Sequence, residues 1–68
     1  MHRPKQEEIK KRREALGLTR SGLSRKAGLA ENALLRIERG ETKYTFPIRA
    51  KAIAEALGCK VEDIFNVE

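Results

Sequence analysis

Four glycines divide this chain into short stretches of helical character, and their spacing constrains the fold more than any other feature. Gly17, Gly28, Gly40 and Gly58 each follow a run whose apolar side chains recur at helical spacing. That is where a left-handed residue commonly ends a helix. Alternating β-branched runs, the signature of strands, are almost absent. The stretches between glycines predict five helices: Lys5 to Leu16, Arg20 to Ala27, Glu31 to Arg39, Pro47 to Leu57, and Val61 to Phe65. Residues 1–68 therefore read as a single compact all-α domain, with residues 1–5 as a disordered arm.

An apolar core has to hold these helices together, because little else is available. One cysteine and one histidine in 68 residues exclude a disulfide within the chain and a zinc site built from Cys and His ligands. The expected core is Ile9 and Leu16, Leu18, Leu23 and Ala27, Leu34 and Ile37, Ile48, Ile53, Ala54 and Leu57, and Val61, Ile64 and Phe65, with Cys59 as a small buried apolar residue. No apolar run approaches the roughly 20 residues of a membrane helix. No hydrophobic stretch follows the charges of the N-terminus, as a signal peptide would require. The expected compartment is the cytoplasm, at the nucleoid. No acid–base pair, nucleophile with its base, or phosphate-cradling glycine loop suggests an enzyme, and no cofactor, metal or small-molecule ligand is expected.

The separation of the second and third helices by only Gly28-Leu29-Ala30 is the motif that points to a function. Glycine permits a left-handed turn without a Cβ clash. Leu29 then plugs the core and sets the angle between the helices, so that the next helix projects its polar face outward. This is a helix-turn-helix, whose second helix fits a DNA major groove. The charge distribution agrees with it. Residues 1–46 hold 12 Lys and Arg against 6 acids, whereas residues 47–68 hold 3 against 4. A basic surface supplies sequence-independent affinity for nucleic acid, although it equally describes a well-solvated protein.

From Ile9 to Phe65 the chain resembles the Cro and repressor family of helix-turn-helix regulators, the xenobiotic-response-element type. The resemblance is carried by Leu16-Gly17-Leu18-Thr19, Leu23, Ala27-Gly28-Leu29, Ile37-Glu38-Arg39-Gly40 and Ala54-Glu55-Ala56-Leu57-Gly58. It implies a lambda-repressor-like DNA-binding domain, and a buried ion pair between Arg13 of the first helix and Glu38 at the end of the third. Several positions depart from the family pattern. Ala30 stands where Ser or Thr usually caps the recognition helix, Gly22 replaces a Glu that would complete a capping box with Thr19, and Lys60 replaces a capping Ser. Arg20 replaces a common Gln, and the loop Lys43 to Pro47 is more aromatic than usual.

If Leu34 and Ile37 face the core, then Glu31, Asn32, Leu35, Arg36 and Arg39 face outward or to the flanks. Asn32 matches adenine and Arg36 matches guanine in bidentate geometry. Ala33 and Leu35 suit thymine methyls, Leu35 equally suiting the edge of the core or a partner chain. Glu31 suits cytosine N4 or serves as a first-turn acid compensating the helix dipole. Arg20, Arg25, Arg39 and Lys43 are the expected phosphate contacts. The expected function is sequence-specific binding of double-stranded DNA by a transcriptional repressor, a homodimer on a palindromic operator with helix 31–39 in the major groove. The apolar groups available to a dimer are Tyr44 and Phe46, or Ile64, Phe65 and Val67. A protein-interaction module, such as an antitoxin or anti-regulator, and a non-specific nucleic-acid binder are the alternatives on the same fold.

Overall fold

The computed structural model describes residues 1–67 as five helices and a two-stranded sheet. In chain order they are β1 (His2–Pro4), α1 (Gln6–Ala15), α2 (Arg20–Lys26), α3 (Ala33–Glu38), α4 (Pro47–Leu57), α5 (Val61–Ile64) and β2 (Phe65–Val67). The core joins Ile9 of α1, Leu23 of α2, Leu34 and Ile37 of α3, Ile53 of α4, Ile64 of α5 and Phe65 of β2, all essentially inaccessible to solvent.

Helix α4 is the backbone of this core. Pro47 occupies its first turn, where the fixed φ suits a helix and the missing N–H leaves no bond unmade. Ala50, Ile53, Ala54 and Leu57 then line one stripe at spacings of three and four. Ile48 does not join them: at 86% exposure it lies outside the core in which the sequence placed it. It precedes Ala50 by two positions, about 200° around the helix, and so faces solvent. Leu16 also departs from the expected core, because α1 ends at Ala15 and Leu16 is its half-exposed C-cap. Leu18 packs against the core just beyond it, and Cys59 is only partly buried.

The N-terminus differs most from expectation. Residues 2–4, read from sequence as part of a disordered arm, form β1, antiparallel to β2 with His2 opposite Val67, Arg3 opposite Asn66 and Pro4 opposite Phe65. On its other side β1 meets the loop before α4. The His2 N–H donates to the Thr45 carbonyl at 2.9 Å, and the Thr45 N–H donates to the His2 carbonyl at 2.7 Å. The Lys5 N–H adds a bond to the Ile64 carbonyl at 2.8 Å. Three residues carry no alternation that sequence could reveal. Their partners lie some 40 and 60 positions away, and the backbone bonds to them make the strand. The same sheet shortens the last helix: Phe65 turns extended (φ −136°, ψ 146°) to enter β2.

Candidate nucleic-acid interface

The turn between α2 and α3 is built from backbone hydrogen bonds around one glycine. Gly28 has φ +74°, its N–H donates to the Arg25 carbonyl at 3.0 Å, and the Leu29 N–H donates to the Ser24 carbonyl at 2.8 Å. This pair of bonds is a Schellman motif, which satisfies carbonyls left open at the end of α2 and reverses the chain. Leu29 packs against the core. At the other end of α2, Thr19 Oγ1 accepts from the Gly22 N–H at 2.9 Å.

Helix α3 starts two residues later than expected, at Ala33 rather than Glu31. Ala30 supplies no cap, and Asn32, with φ −98° and ψ 11°, makes no side-chain cap bond. The cap comes from the neighbouring helix instead. Ser24 of α2, fully buried, donates its hydroxyl proton to the Arg20 carbonyl at 2.9 Å and accepts from the Leu34 N–H at 3.1 Å. One hydroxyl thus satisfies an orphan donor of α3 and couples the two helices. The sequence reading missed Ser24; its only signal is a small polar residue beside Leu23 on the inward side of α2. Ser21 is a second link, donating to Glu31 Oε1 at 2.9 Å.

An ion pair anchors the far end of α3. Arg13 Nε and Nη2 donate to the two carboxylate oxygens of Glu38 at 2.7 and 3.0 Å, and Arg13 Nη1 donates to the Leu18 carbonyl at 2.8 Å. Both side chains are nearly enclosed, at 9% and 3% exposure. The bond to Glu38 holds the Arg13 guanidinium above its ordinary range, against the opposing effect of burial. Arg20 Nε also reaches Glu38, at 3.3 Å. Glu38 therefore ties α1, α2 and α3 together.

The outward residues follow from this frame. Asn32 and Arg36 are both exposed, one turn apart, on the side of α3 away from Leu34 and Ile37. Ala33 and Leu35 are half-buried. Leu35 lines an open cleft with Arg13, Thr19, Arg20, Ser21 and Glu31, where the start of α2 faces α3. Glu31 is exposed in the turn before the helix, and its bond to Ser21 gives it a local role in holding that turn. Of the four expected phosphate contacts, Arg25 is exposed on α2 and Lys43 in the loop after α3. Arg20 and Arg39 already have partners, the latter pairing through Nε with Glu41 at 3.0 Å. Among the described residues, no cluster of His, Cys, Asp or Glu is arranged to hold a metal ion, and no helix is long and apolar enough to cross a membrane.

Two short helices locked by a left-handed turn and a shared serine, with Asn32 just before the second and Arg36 within it facing outward, define a helix-turn-helix module. The family model described as helix-turn-helix matches residues 9–64, and the chain belongs to that family, the DNA-binding regulators of Cro and repressor type. Among solved structures it is similar to the master regulator for biofilm formation SinR, in a crystal structure of that protein in complex with DNA. The two share 28% sequence identity with a TM-score of 0.78, over 84% of this chain and 90% of that one. No curated protein matches this chain significantly.

Proposed function

We propose that this chain is a sequence-specific repressor that binds a palindromic duplex as a homodimer, with α3 and the turn before it in the major groove. The observation that carries the reading is the pair Asn32 and Arg36, exposed together at the start of α3 and one turn into it, away from the buried Leu34 and Ile37. An amide and a guanidinium one turn apart suit an adenine and a guanine in bidentate geometry, each pair worth about 1–3 kcal/mol of discrimination. Ala33 and Leu35 flank them with methyl groups for thymine, and Glu31, placed in the turn, is left to cytosine N4. The DNA complex of SinR supports the same use of the fold.

Phosphates are met from the rim, by Arg25, Lys43, Arg20 and Arg39. Arg20 engages Glu38 through Nε, so a phosphate would approach its terminal nitrogens. Glu41 has to release Arg39, or share it, when DNA arrives. A single module reads few base pairs, and two half-sites about one helical turn apart demand two copies. Ile64 and Phe65 are in the core, so of the groups expected for self-association Tyr44, Phe46 and Val67 remain, at 45%, 65% and 59% exposure, and Ile48 is exposed as well, at 86%. A repressor of this kind would act at the nucleoid.

Selection of bound sequences from a random duplex pool, with the unaltered protein and with Arg36→Ala, tests the proposal. A palindrome should be enriched, and the preference at one position of each half-site should relax in the variant. Binding without any enriched sequence would replace the reading with non-specific association, and absence of binding at low salt would point to a protein partner. Sedimentation of the protein free and on the selected duplex tests the dimer, which a single copy per palindrome would exclude.

A further inference from the structure

β1 carries a cation to the far end of the recognition helix, where a second cleft of about 380 Å³ opens between β1 and the loop after α3. Its lining is Arg3, Pro4, Gln6, Gly40, Thr42, Lys43 and Tyr44. Among these described residues none is acidic, two are cations, and Gln6, Thr42 and Tyr44 can donate hydrogen bonds. That donor set suits an anion of phosphate type.

The sheet register explains why Arg3 is there. Side chains alternate across a strand, so His2 and Pro4 on one face leave Arg3 on the other. Pro4 is buried and Arg3 exposed. The same alternation acts on the loop. Thr45, bridged to His2, is buried, and Tyr44 beside it turns to the outer face. The two outward side chains meet: Arg3 Nη2 donates to the Tyr44 hydroxyl at 3.3 Å, and its guanidinium carbon lies 5.6 Å from the centre of the Tyr44 ring. Stacking and the hydrogen bond orient the guanidinium at the cleft.

The cleft is also held in register with α3. The Glu41 and Thr42 N–H groups both donate to the Arg36 carbonyl, at 2.9 and 3.3 Å. The loop that forms one wall is therefore pinned to the backbone of the residue proposed to read guanine. A helix seated in a major groove about 12 Å wide has a phosphate backbone along each wall. The start of α2 borders the cleft at Glu31 and Leu35, whereas this one lies past the other end of α3, at Gly40 and Thr42.

We infer that Arg3, oriented by Tyr44 and delivered by β1, is a contact to a DNA phosphodiester in this cleft, which makes the N-terminal strand part of the DNA interface. The inference rests on the proposed DNA binding and extends it to an element outside the helix-turn-helix. Neutralising one phosphate releases about 0.9 counterion from B-DNA. In the slope of log affinity against log salt, Arg3→Ala should therefore reduce the magnitude by about 0.9. Lys51→Ala, which removes a cation from the exposed side of α4, should leave that slope unchanged. Tyr44→Phe keeps the ring but not the hydroxyl, and should weaken binding less than Arg3→Ala.

The probe is the duplex enriched by selection, and a second set of duplexes carries one neutral methylphosphonate at each backbone position in turn. One such position should weaken the unaltered protein more than it weakens Arg3→Ala, which keeps only Lys43 as a cation in the cleft. The circular dichroism spectrum and melting temperature of each variant check that the fold is intact. An unchanged salt slope for Arg3→Ala, or no methylphosphonate whose effect depends on Arg3, overturns the inference and leaves DNA binding by α3 in place. Failure of the unaltered protein to bind any duplex overturns both. The same reduction in slope for Lys51→Ala would show a diffuse charge effect and overturn the contact alone.

Discussion

Replacing Arg13 by methionine tests what holds the helix-turn-helix against α1. Methionine keeps much of the apolar stem but leaves the Glu38 carboxylate, 3% exposed, with only the 3.3 Å contact from the more accessible Arg20. Breaking a buried ion pair from one side costs about 3–5 kcal/mol, and the Arg20 contact places this change near the lower end. Glu38→Leu should cost more, because the Arg13 guanidinium then keeps only the Leu18 carbonyl among its present acceptors. A domain of this length has about 3–10 kcal/mol in total. Either single change therefore removes a large share of the stability. Replacing both partners restores an apolar seam, and Arg13→Met with Glu38→Leu should return to within about 1–2 kcal/mol of the original. Urea unfolding followed by circular dichroism measures this at fixed temperature, with a slope of about 1 kcal/mol per molar for a small domain. The reasoning fails if the double variant is as unstable as the worse single variant, or if Arg13→Met costs less than about 1 kcal/mol against the expected penalty.

Other consequences follow from single groups. Ser24→Ala leaves the buried Leu34 N–H without its acceptor, which should cost about 1–3 kcal/mol and lower the melting temperature by about 4–8 °C per kcal/mol; hydrogen exchange at the Leu34 amide should quicken, and an unchanged melting temperature would refute the shared cap. Gly28→Ala meets no atom within 4 Å, so its cost of about 1–2 kcal/mol is that of left-handed backbone alone; Gly28→Asn should lose less, and equal losses would count against that origin. Burial pushes the Cys59 thiol up, against a lowering by Arg12. The folded state then holds its proton longer than the unfolded chain, so this contribution to stability is full below the unfolded pKa and is lost as pH rises through the folded value. Alkylation of Cys59 near pH 9 should be slower in the folded protein than in urea, and equal rates would refute it.

Much of the architecture could be read from residue order because it depends on local patterns. Glycines after apolar runs marked the helix ends, Pro47 marked the start of α4, and Gly28-Leu29 marked the turn into the recognition helix, since backbone freedom and helical periodicity act over only a few residues. The family resemblance added the pairing of Arg13 with Glu38, which lie 25 positions apart and which no local pattern joins. The candidate base-reading residues Asn32 and Arg36 were also legible, as the polar positions opposite Leu34 and Ile37.

What required the folded chain is what depends on neighbours distant in sequence. Ser24 substitutes for a cap that Ala30 cannot provide, and this moves the start of α3 and leaves Glu31 in a turn, bonded to Ser21. Ile48 faces solvent because the direction of the core, rather than its own hydrophobicity, decides which stripe of α4 is buried. The sheet is the clearest case. His2, Arg3 and Pro4 have no strand character by themselves, and only backbone bonds to Thr45 and to Phe65–Val67 order them. Local propensity acts over a turn or two of chain, whereas satisfying every buried donor and acceptor is a condition on the whole fold. The backbone bonds between His2 and Thr45, made to meet it, bring Arg3 and Tyr44 together beyond the end of α3.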